Sequence, residues 1–152
     1  MDDLGLALSV RLALLFSGIY LFVGMLTGVW KYVQISRSEI ARAHYYVDIA
    51  HRSSLLYAPA TLILAIMAFF SSWSESTNLF FILINLIFFS FSIASYVLHG
   101  WLKDTNNQFK QPHQLGKMEL PKMILRLAMI LLVIGEIGAT GGLLLGMFNQ
   151  LF

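Results

Sequence analysis

Four stretches of this 152-residue chain are almost free of charge and apolar on every face: Leu12 to Trp30, about Ser54 to Phe70, about Leu79 to Leu98, and about Met123 to Phe148. A helix that crosses a bilayer needs about 20 such residues, and a run hydrophobic all round cannot be an ordinary amphipathic surface helix. The pattern therefore predicts an all-α fold, a four-helix transmembrane bundle forming a single integral membrane domain over 1–152. The polar positions fall between the runs. Ser71 to Ser76 reads as a short turn with Trp73 at the interface, which makes the second and third spans antiparallel neighbours. Ser36-Arg37-Ser38-Glu39 has the spacing of a capping box. A helix is expected to start there and to run on into the second span, which then extends beyond the membrane. The first run begins after an acidic start, Asp2 and Asp3, and is too long for a signal-peptide core, so it is expected to be a retained span.

Composition agrees: 58% of residues are hydrophobic and 12% charged, about half the charged share of a soluble domain. The net charge of +2 gives no support for nucleic-acid binding. Cysteine is absent, which excludes disulfides, thiolate metal sites and cysteine nucleophiles. The distribution of the cations matters more than their sum. Nine of the ten Lys and Arg lie in or beside the first and third connections, and only Arg11 lies toward the other side. The positive-inside rule then predicts both termini outside and both basic connections in the cytoplasm, as in a bacterial inner-membrane protein.

The candidate chemistry gathers at that same basic end. His44, Asp48 and His51 are spaced four and three apart, which places them on one face of a helix. His99, Asp104 and His113 belong to the same membrane side. Imidazole and carboxylate ligands suit zinc, iron, copper or manganese, so these six residues are a candidate divalent-metal shell. The plainer alternative pairs Asp48 with Arg52 at i,i+4 and leaves the histidines at headgroup level. His51 and His99, on different helices, are also candidate axial ligands of a b-type haem, with Tyr57, Tyr96 and Trp101 nearby.

Two features lie within the spans. Glu136 falls near the middle of the fourth run, where a carboxylate costs a few kcal/mol. It is expected to find a hydrogen bond inside the bundle, with Tyr20, Ser90 and Ser92 at similar depth, and serves either as a proton relay or as a structural tie. Gly138, Gly142 and Gly146 on the fourth span, and Gly24 and Gly28 on the first, form smooth faces suited to close helix packing, within the chain or in a homo-oligomer.

Ala50-His51-Arg52-Ser53-Ser54-Leu55-Leu56-Tyr57-Ala58-Pro59 resembles the second-helix motif of the MAPEG family, small four-span membrane proteins of eicosanoid and glutathione metabolism. His51, Tyr57 and Pro59 match the family pattern, and Tyr96-Val97-Leu98-His99-Gly100 is similar to the end of its third span. The resemblance implies a homotrimer, and a site near His51, Arg52 and His99 for a lipophilic substrate. Ser53, Leu56 and Tyr96 stand where the family has asparagine, glutamate and often arginine, the positions that engage glutathione. The resemblance thus implies a shared architecture more than a shared reaction. Three functions stand open: an accessory membrane protein with a cytoplasmic-side histidine cluster able to bind a metal, a b-haem redox subunit, or, as the resemblance implies, a MAPEG-like membrane enzyme.

Overall fold

The computed structural model describes residues 5–152; Asp2 and Asp3 lie outside the described residues. Four helices account for most of the fold: α1 (Leu8–Ser36), α2 (Tyr45–Phe69), α3 (Glu75–Leu102) and α4 (Lys122–Leu151). Each is long and apolar enough to cross a membrane. Each coincides with one of the four apolar runs and extends past it at one or both ends, because backbone hydrogen bonding continues into the flanking polar residues.

The chain runs up and down, and α1 and α2 make the most extensive helix contact. Small residues permit it. A Cβ on Gly24 would stand 2.6 Å from Leu55 Cδ2, and one on Gly28 would stand 2.8 Å from His51 Cε1. The glycine face of α1 is therefore occupied by α2 of the same chain. The core of the bundle is built from Ala13, Tyr20, Ala58, Ala65, Ile82 and Leu86, with Leu143 arriving from α4. Helix α4 is the outermost: only Ala139, Leu143 and Gly146 are buried in it. Its glycines divide. Gly135 meets Phe88, Gly142 meets Phe81, and Gly146 meets Trp73 and Ser71, whereas Gly138 and Gly141 face open space. The inward row is thus 135, 142 and 146 rather than the expected 138, 142 and 146.

The helix expected from Ser36 does not form. Helix α1 continues through Ser36, whose hydroxyl donates back to the Val33 carbonyl. Helix α2 starts only at Tyr45, after a loop in which Ala41 takes φ +50°. The reason is geometric. Two antiparallel helices in contact need a connection to reverse the chain, and a helix beginning at Ser36 leaves none. Helix α2 begins about nine residues before its apolar run.

The connection from α3 to α4 also differs from the all-α expectation. It carries a small antiparallel hairpin, β1 (His113–Leu115) and β2 (Met118–Leu120), pairing His113 with Leu120 and Leu115 with Met118. Gly116 opens its two-residue turn at φ +61°, a conformation that favours glycine. At the opposite end of the bundle, the α2–α3 turn is as short as expected. Ser74 caps α3 by accepting from Thr77 N, and Trp73 Nε1 donates to the Gly142 carbonyl at 2.8 Å.

Candidate functional site

Helix order brings the end of α1, the start of α2, the end of α3 and the start of α4 to one end of the bundle, together with the hairpin. All four histidines are there, and each ring is held by a different partner. His51 Nδ1 donates to the Gly24 carbonyl at 2.8 Å, since a carbonyl only accepts, and so ties α2 to α1. His99, buried, donates from Nδ1 to Asp104 Oδ1 at 2.8 Å. His113, also buried, donates to the Gln108 carbonyl at 3.1 Å. His44 is not on the helical face at all. It is the N-cap of α2, and its Nδ1 accepts from Tyr46 N at 3.4 Å.

The three-residue helical face therefore dissolves. The Asp48 carboxylate bonds to neither His44 nor His51; its two oxygens take Lys31 at 2.6 Å and Arg52 at 2.9 Å. The i,i+4 partner was visible in the sequence, and Lys31 was not, because it comes from α1. The expected metal shell of His44, Asp48, His51, His99, Asp104 and His113 is not assembled. Among the described residues no three His, Asp or Glu side chains converge as ligands. Helical spacing puts residues on a face, but the packing of α1 on that face decides where each side chain goes.

His51 and His99, the two candidate haem ligands, lie on different helices and each uses its Nδ1 within the protein. The Cε1 edge of His51 packs on α1 at Gly28, and one face of His99 lies on Tyr46 with ring centroids 5.1 Å apart.

Asp104 organises the connection between α3 and α4. Its Oδ2 accepts from Gly116 N at 2.6 Å while Oδ1 holds His99, so one buried carboxylate joins α3 to the hairpin turn. Burial pushes this carboxyl up, but the Gly116 N–H and the His99 side chain outweigh it and hold it below the ordinary aspartate value. Tyr46 completes the strap: its hydroxyl accepts from Gln108 N at 2.6 Å, and its ring stacks on Tyr96.

Beside this strap a cleft of about 1020 Å³ opens between the end of α1, the 37–44 loop and the end of α3. Arg37, Arg42, His44 and Lys103 line it together with Trp30 and Gln34. The loop wall is anchored by Gln34 Oε1, which accepts from His44 N at 2.8 Å. Desolvation and then the Lys103 ammonium hold His44 below the ordinary imidazole value. In the sequence these cations are legible only as topology signals. Nothing in their spacing shows that a loop and a helix end bring them to one cleft.

Glu136 is the remaining polar candidate. Its Oε1 is buried without a hydrogen-bond partner in the protein. Tyr20 and Ser90, two of the expected partners, are engaged with each other at 2.8 Å, and the Tyr20 hydroxyl also donates to the Leu86 carbonyl.

No protein-family model, curated protein or solved structure matches this chain.

Proposed function

We propose that this chain is an accessory integral membrane protein whose histidine-rich end braces the helix bundle rather than holding a metal or a haem. The carrying observation is that the four imidazoles are engaged separately, by Gly24, Asp104, Gln108 and the start of α2. A cluster built for ligation or for acid–base work directs its rings toward a common point, with reacting groups in hydrogen-bond reach. Here the polar groups are used to join α1 to α2 and α3 to the hairpin. In this reading the basic end faces the cytoplasm, following the distribution of Lys and Arg, and the membrane is the inner membrane of a bacterium. Any self-association uses the outer face of α4, where Gly138 and Gly141 are open.

Metal analysis and an absorption spectrum of the purified protein test this reading. The expected result is neither stoichiometric metal nor a Soret band, with a loss of thermal stability in His51→Ala and His99→Ala. One metal or one haem per chain, lost in those variants, overturns it.

A second reading is favoured by one observation, the tie from His51 to α1 within the segment that resembles the MAPEG motif. In that reading the protein is a membrane enzyme acting on a lipophilic substrate and associates as a trimer. Glutathione binding that disappears in His51→Ala at unchanged stability supports it. A detergent-solubilised monomer without glutathione affinity excludes it.

A further inference from the structure

The cleft beside the 37–44 loop is cationic in a way that its structural duties do not require. Arg37, Arg42 and Lys103 all line it, and no carboxylate does. Among the described residues none of these three makes an ion pair, whereas Lys31 and Arg52 on the neighbouring surface both pair with Asp48. Three unpaired cations around one concavity repel one another. Their arrangement becomes favourable when an anion enters.

The walls are held in place by uncommon backbone. Lys103 closes α3 at φ +51°, and Ala41 turns the opposing loop at φ +50°. Left-handed conformations at residues other than glycine cost of order 1 kcal/mol each and persist where surrounding structure holds them. The first aims the end of α3 into the cleft. The second brings Arg42 and His44 to its other side.

The cleft does not end at the polar rim. Trp30, Gln34 and Lys103 are shared with an adjoining trough of about 530 Å³, which continues along Val97, Gly100 and Trp101 and is mostly apolar. Gly100 keeps this trough close to α1, since a Cβ there would stand 3.2 Å from Trp30 Cη2. Trp101 is 77% exposed, and tryptophans at the ends of apolar helices mark the headgroup level of a bilayer. A cationic cup thus opens onto an apolar trough at the depth where a lipid's phosphate meets its acyl chains.

We propose that this continuous site binds a single anionic amphiphile, with its phosphate among Arg37, Arg42 and Lys103 and its apolar chain along Trp30, Val97 and Trp101. Guanidinium groups are suited to the phosphate because their planar donors engage its oxygens in pairs. The site stands whether the chain is an accessory protein or an enzyme, for which the amphiphile is a ligand or a substrate respectively. It requires only that this end lies at a membrane surface.

The test uses the full chain reconstituted in phosphatidylcholine vesicles and reads tryptophan fluorescence. Phosphatidylglycerol brominated near the carbonyl end of its acyl chains is titrated in and compared with equally brominated phosphatidylcholine. Each Lys or Arg near the surface favours anionic lipid by several-fold, so the three together should give at least roughly tenfold selectivity for phosphatidylglycerol. The combined Trp30→Phe, Trp101→Phe variant should remove the selective quenching, leaving Trp73 at the opposite end of the bundle as the remaining tryptophan. The combined Arg37→Gln, Arg42→Gln, Lys103→Gln variant should abolish the selectivity at unchanged helical content. The combined Lys110→Gln, Lys117→Gln, Lys122→Gln variant should retain it, since those cations lie outside the cleft. Equal quenching by the two lipids, or equal loss of selectivity in both triple variants, overturns the proposal in favour of a diffuse basic surface. Displacement of the brominated lipid by millimolar inorganic phosphate overturns it in favour of a soluble-anion site. Failure of the protein to insert into the vesicles contradicts the membrane assignment itself and is detected separately by flotation.

Discussion

The carboxylate of Glu75 accepts two hydrogen bonds from Ser9, one from its backbone N–H and one from its hydroxyl, each at 2.8 Å. Helix α1 has Ala7 at its N-cap and so no capping side chain of its own. Glu75, in the first turn of α3, supplies that cap from 66 residues away while lying at the positive end of its own helix. One side chain therefore serves two helix starts. Ser9→Ala removes one bond and Glu75→Ala removes both. Glu75→Ala is expected to cost about 0.5–2 kcal/mol, the range for loss of a helix cap. Thermal unfolding of both single variants and the double variant checks this, because the two losses should be clearly less than additive.

The divided glycines of α4 carry a second prediction. Gly146→Ala drives a methyl group into Trp73 and Ser71 of the α2–α3 turn and should destabilise by about 1–3 kcal/mol, as overpacking does. Gly138→Ala and Gly141→Ala meet nothing within 4 Å and should leave unfolding unchanged or slightly improved. Oligomeric mass by light scattering gives an independent reading of the outer face. Gly138→Leu should lower it if copies of the chain pack there.

His44 should titrate below its ordinary value of 6.5, chiefly through desolvation and next through Lys103, while Asp104 acts in the opposite direction. A group whose pKa is depressed by folding contributes stability that is complete above its ordinary pKa and is lost as pH falls toward the folded value. Lys103→Gln should therefore raise the His44 midpoint, and NMR titration of the ring protons measures the shift directly. An unchanged midpoint would place Lys103 outside the cleft.

Asp104 gives a prediction in a lower window. Its folded pKa lies below the ordinary 3.8, so the strap from α3 to the hairpin stays intact at neutral pH and loosens only as acid protonates that carboxylate. Asp104→Asn removes the charge at all pH values. Exchange of the Gly116 amide should then accelerate by roughly tenfold at neutral pH, the equivalent of one charge-assisted hydrogen bond.

Glu136 can be tested by subtraction. A buried carboxyl oxygen without a partner costs about 1–3 kcal/mol, so Glu136→Leu should raise the unfolding temperature. A stabilised variant that fails to replace the natural protein in cells would assign Glu136 a functional role. A destabilised one would show that the carboxyl has a structural partner after all.

Much of this architecture is legible in hydropathy alone. Each apolar run became the centre of a helix, because a segment without polar side chains has no other way to satisfy its backbone in lipid. Short connections were legible too: Ser74 caps α3 where the serine-rich turn predicted a reversal. The capping-box match at Ser36 misled because the motif is local, whereas helix ends are settled by how far α1 must run before the chain can turn back. The hairpin at 113–120 escaped because three-residue strands are too short to show an alternating pattern, although Gly116-Lys117 between two short mixed segments was its one available sign.

The candidate site shows the same division. The sequence by itself determined that the histidines and nearly all the cations share one end, since helix order and charge asymmetry follow from the chain in one dimension. It also determined the Asp48–Arg52 pair, which lies within a single helix. Only the tertiary structure decided that His51 turns to Gly24, that His99 turns to Asp104 and that Lys31 completes the Asp48 cluster. Each of those contacts joins two different elements, and a side chain's direction depends on which neighbour packs against it. The cleft belongs to the same class: Arg37, Arg42 and Lys103 become one site because a left-handed residue in a loop and another at a helix end bring distant cations around one cavity.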